Sequence, residues 1–160
     1  MRHFSCRLCL TPLILFLLSG CYGGGDLNHY AEEKPRVLDL AGIYRPDART
    51  LDLIRDTGHY PQQSIEIRLE KNGKVRLYNI PDWAAGENHG KSVTGYGSWT
   101  LNTKENEWAG EGKLRWVVAL DVAMLARDVD LREHKPPYVL QMIVGDPDAM
   151  TAMHFEKQTQ

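Results

Sequence analysis

Ser64-Ile65-Glu66-Ile67-Arg68-Leu69-Glu70-Lys71-Asn72-Gly73-Lys74-Val75-Arg76-Leu77-Tyr78-Asn79-Ile80 is a β-hairpin written in period two. Ile65, Ile67 and Leu69 alternate with Glu66, Arg68 and Glu70, so one face is apolar and the other charged. That is a half-buried strand. Val75 and Leu77 resume the alternation after Lys71-Asn72-Gly73-Lys74. Asn-Gly suggests a tight type I′ turn, but parity argues against it. A two-residue loop would pair Leu69 with Arg76, mixing apolar and charged residues on one face. A three-residue loop, 71–73, pairs Leu69 with Val75 and Ile67 with Leu77, and sets Glu70 opposite Lys74. The sequence therefore predicts a type I turn with Gly73 left-handed in a G1 bulge.

Strand signals continue on both sides. Upstream, Leu38 to Tyr44 reads as a short strand ended by Pro46-Asp47, and Thr50 to Asp56 as a short helix stopped at Gly58. Downstream, Pro81 to Gly97 reads as a glycine-rich loop, Tyr96 to Leu101 as a strand, and Asn102 to Gly112 as a polar turn region. Lys113 to Val122 is a strand with Leu114, Trp116, Val118 and Leu120 on one face. Ala123 to Lys135 is open between one helical turn and an irregular crossing. Tyr138 to Val144 is a nearly all-apolar strand, Gly145-Asp146-Pro147-Asp148 a turn, and Thr151 to Lys157 the last strand. The fold expected is mainly β: a single antiparallel six- to eight-stranded barrel, or a strongly bent sheet, with one or two short helices.

Across residues 38–157 the chain resembles small lipocalin-like (calycin-type) domains. The resemblance is carried by Gly42-Ile43-Tyr44, by Gly97-Ser98-Trp99-Thr100-Leu101 and by the hairpin around Gly145-Asp146-Pro147-Asp148. Lipocalins carry Gly-x-Trp on the first strand, where this chain has Tyr44. They also carry a late arginine, where this chain has Phe155-Glu156-Lys157. The resemblance implies the barrel architecture; whether the interior is hollow is open at this point.

Composition fits one globular domain: 160 residues, 42% hydrophobic and 25% charged. With 19 basic against 21 acidic residues, the formal net charge is −2. No basic excess is present to neutralise phosphates, which argues against nucleic acid as a partner.

The chain opens with Arg2 and Arg7, then an apolar run from Leu8 to Leu18 that is too short to span a bilayer. The run ends in Leu18-Ser19-Gly20-Cys21, an aliphatic residue and two small residues before a cysteine. This resembles the lipobox of bacterial lipoproteins. The resemblance implies a signal peptide over 1–20, acylation of the Cys21 thiol, and a lipid anchor in the bilayer. Tyr22 stands where Asp favours inner-membrane retention in Gram-negative lipoproteins, so the resemblance points to the outer membrane and the periplasm. Cleavage would leave 140 residues with 17 basic against 21 acidic, and would remove Cys6 and Cys9. Residues 21–36, with Gly23-Gly24-Gly25, read as a flexible tether reaching up to ~50 Å. The β domain then covers 37–157.

Candidate chemistry is sparse. Gly86-Glu87-Asn88-His89-Gly90-Lys91-Ser92 has one residue too few between its glycines for a phosphate loop, and no helix follows it. No pair among His29, His59, His89, His134 and His154 has zinc-site spacing. Asp146 and Asp148 are explained by a turn without calcium. The sequence indicates no metal, no catalytic residue and no cofactor. Trp99 and Trp116 read as core. Trp83 sits at the mouth of the long loop, where its ring either contacts a ligand or folds back over the barrel end. Asp82, Trp83, Asn88 and His89 are therefore the candidate contact residues for a ligand or partner, because recognition falls to the longest loop. The expectation is a non-enzymatic lipoprotein that binds an envelope protein or a small apolar ligand. The alternatives are a hydrolase using Asp82, Glu87 and His89, and a purely structural envelope module.

Overall fold

The computed structural model describes residues 29–57, 60, 64–86, 90–106, 111–145 and 151–159. Cys21 with its lipobox lies outside the described residues, as do Glu87, Asn88, His89, Trp108 and the Asp146-Pro147-Asp148 turn.

The hairpin has the register that parity requires. β2 (Glu66–Leu69) and β3 (Lys74–Pro81) pair Leu69 with Val75 and Ile67 with Leu77. Glu70 N–H donates to Lys74 O at 2.8 Å and Gly73 N–H to Glu70 O at 3.1 Å. Gly73 has φ +79°, while Asn72 keeps negative φ and accepts the Lys74 N–H on Oδ1 at 3.0 Å. A type I′ turn would need positive φ at both central residues. Gly73→Val, which forces a β-branched residue left-handed, should therefore cost roughly 1–2 kcal/mol or more. Asn72→Ala should cost less, because a type I turn accepts most residues there. Equal losses in denaturant titrations would reject the assignment.

Eight antiparallel strands follow one another around a closed barrel, with the last returning to the first. The remaining strands are β1 (Gly42–Pro46), β4 (Ser92–Glu105), β5 (Leu114–Val122), β6 (Leu125–Arg132), β7 (Val139–Ile143) and β8 (Ala152–Lys157). This architecture is compatible with a lipocalin-like fold. Closure removes every sheet edge. A helical turn, α1 (Val37–Leu40), precedes β1, and α2 (Ala48–Thr57) follows it.

Several expectations are corrected. The first strand begins at Gly42 rather than Leu38: Val37–Leu40 turns helically, with Ala41 N–H donating to Val37 O at 2.8 Å. The turn carries Leu40 into the core, where its carbonyl accepts the Tyr44 hydroxyl at 2.8 Å. α2 starts earlier than Thr50 because Asp47 Oδ1 caps the Thr50 N–H at 2.7 Å. Thr50 Oγ1 also accepts the His154 N–H at 2.8 Å, which fastens α2 over β8. His154 faces outward but lies under that contact, and burial lowers its pKa. The loop expected over 81–97 is mostly structured, since β4 already starts at Ser92. β4 also runs on to Glu105, because β5 supplies backbone partners for polar Asn102 to Glu105. The open segment after Val122 is β6: Ala123-Met124 makes a tight turn, and Leu125, Val129 and Leu131 face inward.

Residues 29–31, expected within the tether, bond to the barrel. Ala31 N–H donates to Leu131 O at 3.0 Å, Trp116 N–H to Ala31 O at 2.9 Å, and Glu133 N–H to His29 O at 2.8 Å. Residues 29–31 thus fill the gap where β5 and β6 diverge beyond the Val117–Asp130 pair. Tyr30 is buried there, with the Arg115 and Arg132 guanidiniums 5.2 and 5.0 Å from its ring centre. Each cation on the ring face adds a favourable contact.

The inside of the barrel is filled. Tyr44, Ile67, Leu77, Leu140, Met142, Met153 and Phe155 are all 0% exposed and belong to one contiguous cluster. A water-filled or ligand-sized void along the axis would leave its lining accessible. A one-residue shift between Leu77 and Ile80, with Asn79 at φ +52°, turns Ile80 inward as well.

Candidate functional site

A cleft of about 610 Å³ opens at the end of the barrel where β3 leads to β4, β5 turns into β6, and β7 ends. Its walls are built by local sequence. Pro81 ends β3, and Asp82–Ala85 forms a single 3-10 turn closed by Gly86, which has φ +82° and donates its N–H to Trp83 O at 3.0 Å. Opposite stand the Ala123-Met124 turn, Arg127 and Gly145.

Asp82 is placed here as the sequence suggested, but it is 3% exposed. Its Oδ1 accepts the Tyr60 hydroxyl at 2.9 Å and its Oδ2 the Lys91 N–H at 3.3 Å, while its own N–H donates to Lys91 O at 2.9 Å. Burial, reinforced by the bond to Asp82, pushes the Tyr60 phenol up to about 12. Asp82 therefore ties the two ends of its loop together and does not offer a free carboxylate to the cleft.

Trp83 packs against the core, as a ring folded back over the barrel end would, and also borders the cleft. Met124 is 65% exposed on the facing wall. The structure thus brings Asp82 and Trp83 to one cleft; Asn88 and His89 fall outside the described residues.

Sequence reasoning missed Arg127. It lies in the inward register of β6, paired with Leu120 and two residues from Val129. Its guanidinium donates from Nη1 to Ala84 O and from Nη2 to Ile143 O, the latter at 2.8 Å. It thereby locks the 3-10 turn to the end of β7. Its Nε is buried and has no hydrogen-bond partner among the described residues. Burial lowers its pKa, and nearby Asp130 and Asp128 oppose that shift. Both acids are held by other cations: Lys104 Nζ lies 2.8 Å from Asp128 Oδ2, and Arg115 Nε 2.8 Å from Asp130 Oδ1. The cleft therefore combines an apolar wall with a guanidinium bonded to carbonyls. The signal in the sequence was an arginine on the core face of an alternating strand, and it was legible only once 125–132 was recognised as a strand.

No protein-family model, no curated protein and no solved structure matches this chain.

Proposed function

We propose that this chain is a membrane-anchored envelope lipoprotein, held by acylated Cys21 in the outer membrane and facing the periplasm, whose barrel is a non-enzymatic binding module. The anchor reading rests on Leu18-Ser19-Gly20-Cys21 behind a charged, then apolar, leader. The binding reading rests on one observation above all: the barrel axis is filled, and a cleft that joins apolar and cationic side chains opens at its end, between Trp83, Met124 and Arg127. An apolar group of a partner protein or small ligand would lie between Trp83 and Met124, with a hydrogen-bond acceptor toward Arg127. The burial of Asp82 beneath its hydrogen bonds favours binding over hydrolysis, since a general base must come within hydrogen-bond reach of its substrate.

Met124→Glu tests the cleft without disturbing the core, because that side chain is exposed. The variant should fail to capture the species that the wild-type protein captures from envelope extract. Tyr96→Ala, on the exposed outside of β4, should retain them. Equal capture by the two variants would reject the cleft as the contact surface. Trp83→Ala is a poorer probe than the sequence suggested, because the ring also packs on the core and its loss should cost roughly 1–3 kcal/mol.

A further inference from the structure

The chain enters the barrel at one fixed place. The backbone bonds of His29 and Ala31 to Glu133, Leu131 and Trp116 hold residues 29–31 at the end that also carries α1, the β2–β3 turn and the close of β8. The cleft is at the other end, since β5 starts near the first and finishes at the second. Leu114 and Val122 mark those ends, roughly 26 Å apart along the strand at ~3.3 Å per residue, which a strand tilt of about 40° turns into ~20 Å along the barrel axis. From Cys21 to His29 the chain spans at most ~27 Å when fully extended. A barrel with its cleft toward the bilayer would need about three-quarters of that reach spent in running back along the barrel. With the α1 end toward the bilayer, it needs hardly any of that length.

The α1 end also has suitable chemistry. Val37 and Leu38 are 43% and 62% exposed on the α1 turn. Leu38 borders a groove of about 790 Å³ walled by Ala41, Ile43, Leu69 and Pro137, with Arg68, Lys71, Lys157 and one acid, Glu70, at its sides. Apolar side chains beside lysine and arginine suit the boundary between lipid headgroups and acyl chains: the former enter it, and the latter meet phosphate, while Glu70 is held by Arg76 at 3.0 Å.

We propose that the barrel rests on the bilayer by its α1 end, with Val37 and Leu38 in the headgroup boundary, and holds the Arg127 cleft away from the membrane. The occupant of the α1 groove and its apolar rim is the lipid surface. This pose rests on acylation of Cys21.

The test uses the full chain, processed in its host and reconstituted into phosphatidylethanolamine–phosphatidylglycerol vesicles. An acylated mature chain has no free thiol, so Leu38→Cys and Met124→Cys each create one site for an environment-sensitive fluorophore. Both positions are exposed, and melting curves would verify that each variant folds. Spin-labelled lipid should quench the probe at 38 and leave the probe at 124 bright, and aqueous iodide should do the reverse. Equal lipid quenching at both positions, or iodide quenching at 38, overturns the pose. Shielding of position 38 from both quenchers also overturns it, because a protein or a second copy then covers that face. Palmitate incorporation separates the two levels. Wild type should incorporate it and Cys21→Ala should not. Incorporation with the wrong quenching pattern rejects the pose alone, whereas no incorporation into wild type rejects the anchor and the pose with it.

Discussion

Gly97→Ala is expected to cost roughly 4 kcal/mol or more, a large share of the ~5–15 kcal/mol that stabilises an ordinary domain. Gly97 sits in β4 between Val75 on β3 and Val122 on β5. A Cβ at this position would lie 1.9 Å from the Asp121 carbonyl oxygen, 2.9 Å from its carbon and 3.1 Å from Val122 Cα. All of these are backbone atoms, so no change of rotamer relieves the overlap and β4 must part from β5. Gly95→Ala is the internal control. Its nearest obstacle is the Val122 Cγ1 methyl at 3.1 Å, which can shift by a few tenths of an ångström. Thermal melts followed by circular dichroism should show Gly97→Ala lowered by roughly 10–20 °C and Gly95→Ala by much less. Similar losses in the two variants would mean that the close approach of β4 to β5 is not what requires glycine.

These two glycines also show why part of the fold was hidden in the sequence. Gly95 and Gly97 look like loop punctuation, and together with Gly86 and Gly90 they predict a long mobile connection. In a closed barrel the same residues serve a strand that must bend and pass close to its neighbour. The difference lies in the neighbour, β5, which is distant in sequence. The β2–β3 hairpin was legible for the opposite reason: its register follows from local alternation and turn parity alone. β6 was hidden because Met124-Leu125-Ala126-Arg127 favours helix locally, and only the ladder to β5 makes it extended. The docking of Tyr30 and Ala31 was hidden for a related reason. A glycine-rich lead reads as tether until a gap between two distant strands is there to receive it.

The candidate site was legible only in part. Pro81-Asp82-Trp83 marked the end of the barrel that carries the cleft, but the role of Asp82 depends on Tyr60 and Lys91, whose positions no spacing rule supplies. Arg127 joins Ala84 to Ile143 across three segments of chain. Such a residue becomes visible only when inward and outward faces are assigned to every strand.

The tryptophans give the second large effect and reverse an expectation. Both Trp99 and Trp116 read as core, but they differ in depth. Trp99 is 4% exposed and faces Leu120 across the β4–β5 ladder. Its backbone N–H donates to Gly73 O at 2.7 Å and its indole N–H to Glu70 O at 3.0 Å. It thus pins β4 to the β2–β3 turn. Trp116 lies at the rim, only partly buried, with Lys34 Nζ 5.6 Å from its ring centre. Trp99→Ala should cost roughly 3–5 kcal/mol, chiefly through the cavity left in a filled barrel. The lost hydrogen bond is the smaller part, because Glu70 O keeps the Gly73 N–H. Trp99→Phe, which refills part of that cavity, should recover part of the loss. Trp116→Ala should cost clearly less than Trp99→Ala, since a rim position can be rehydrated. Chemical denaturation of the three variants at one pH decides the order. If Trp116→Ala proved as damaging as Trp99→Ala, the rim at the start of β5 would be as tightly packed as the barrel axis, and the segment through Ala31 and Lys34 would have to be counted as part of the core.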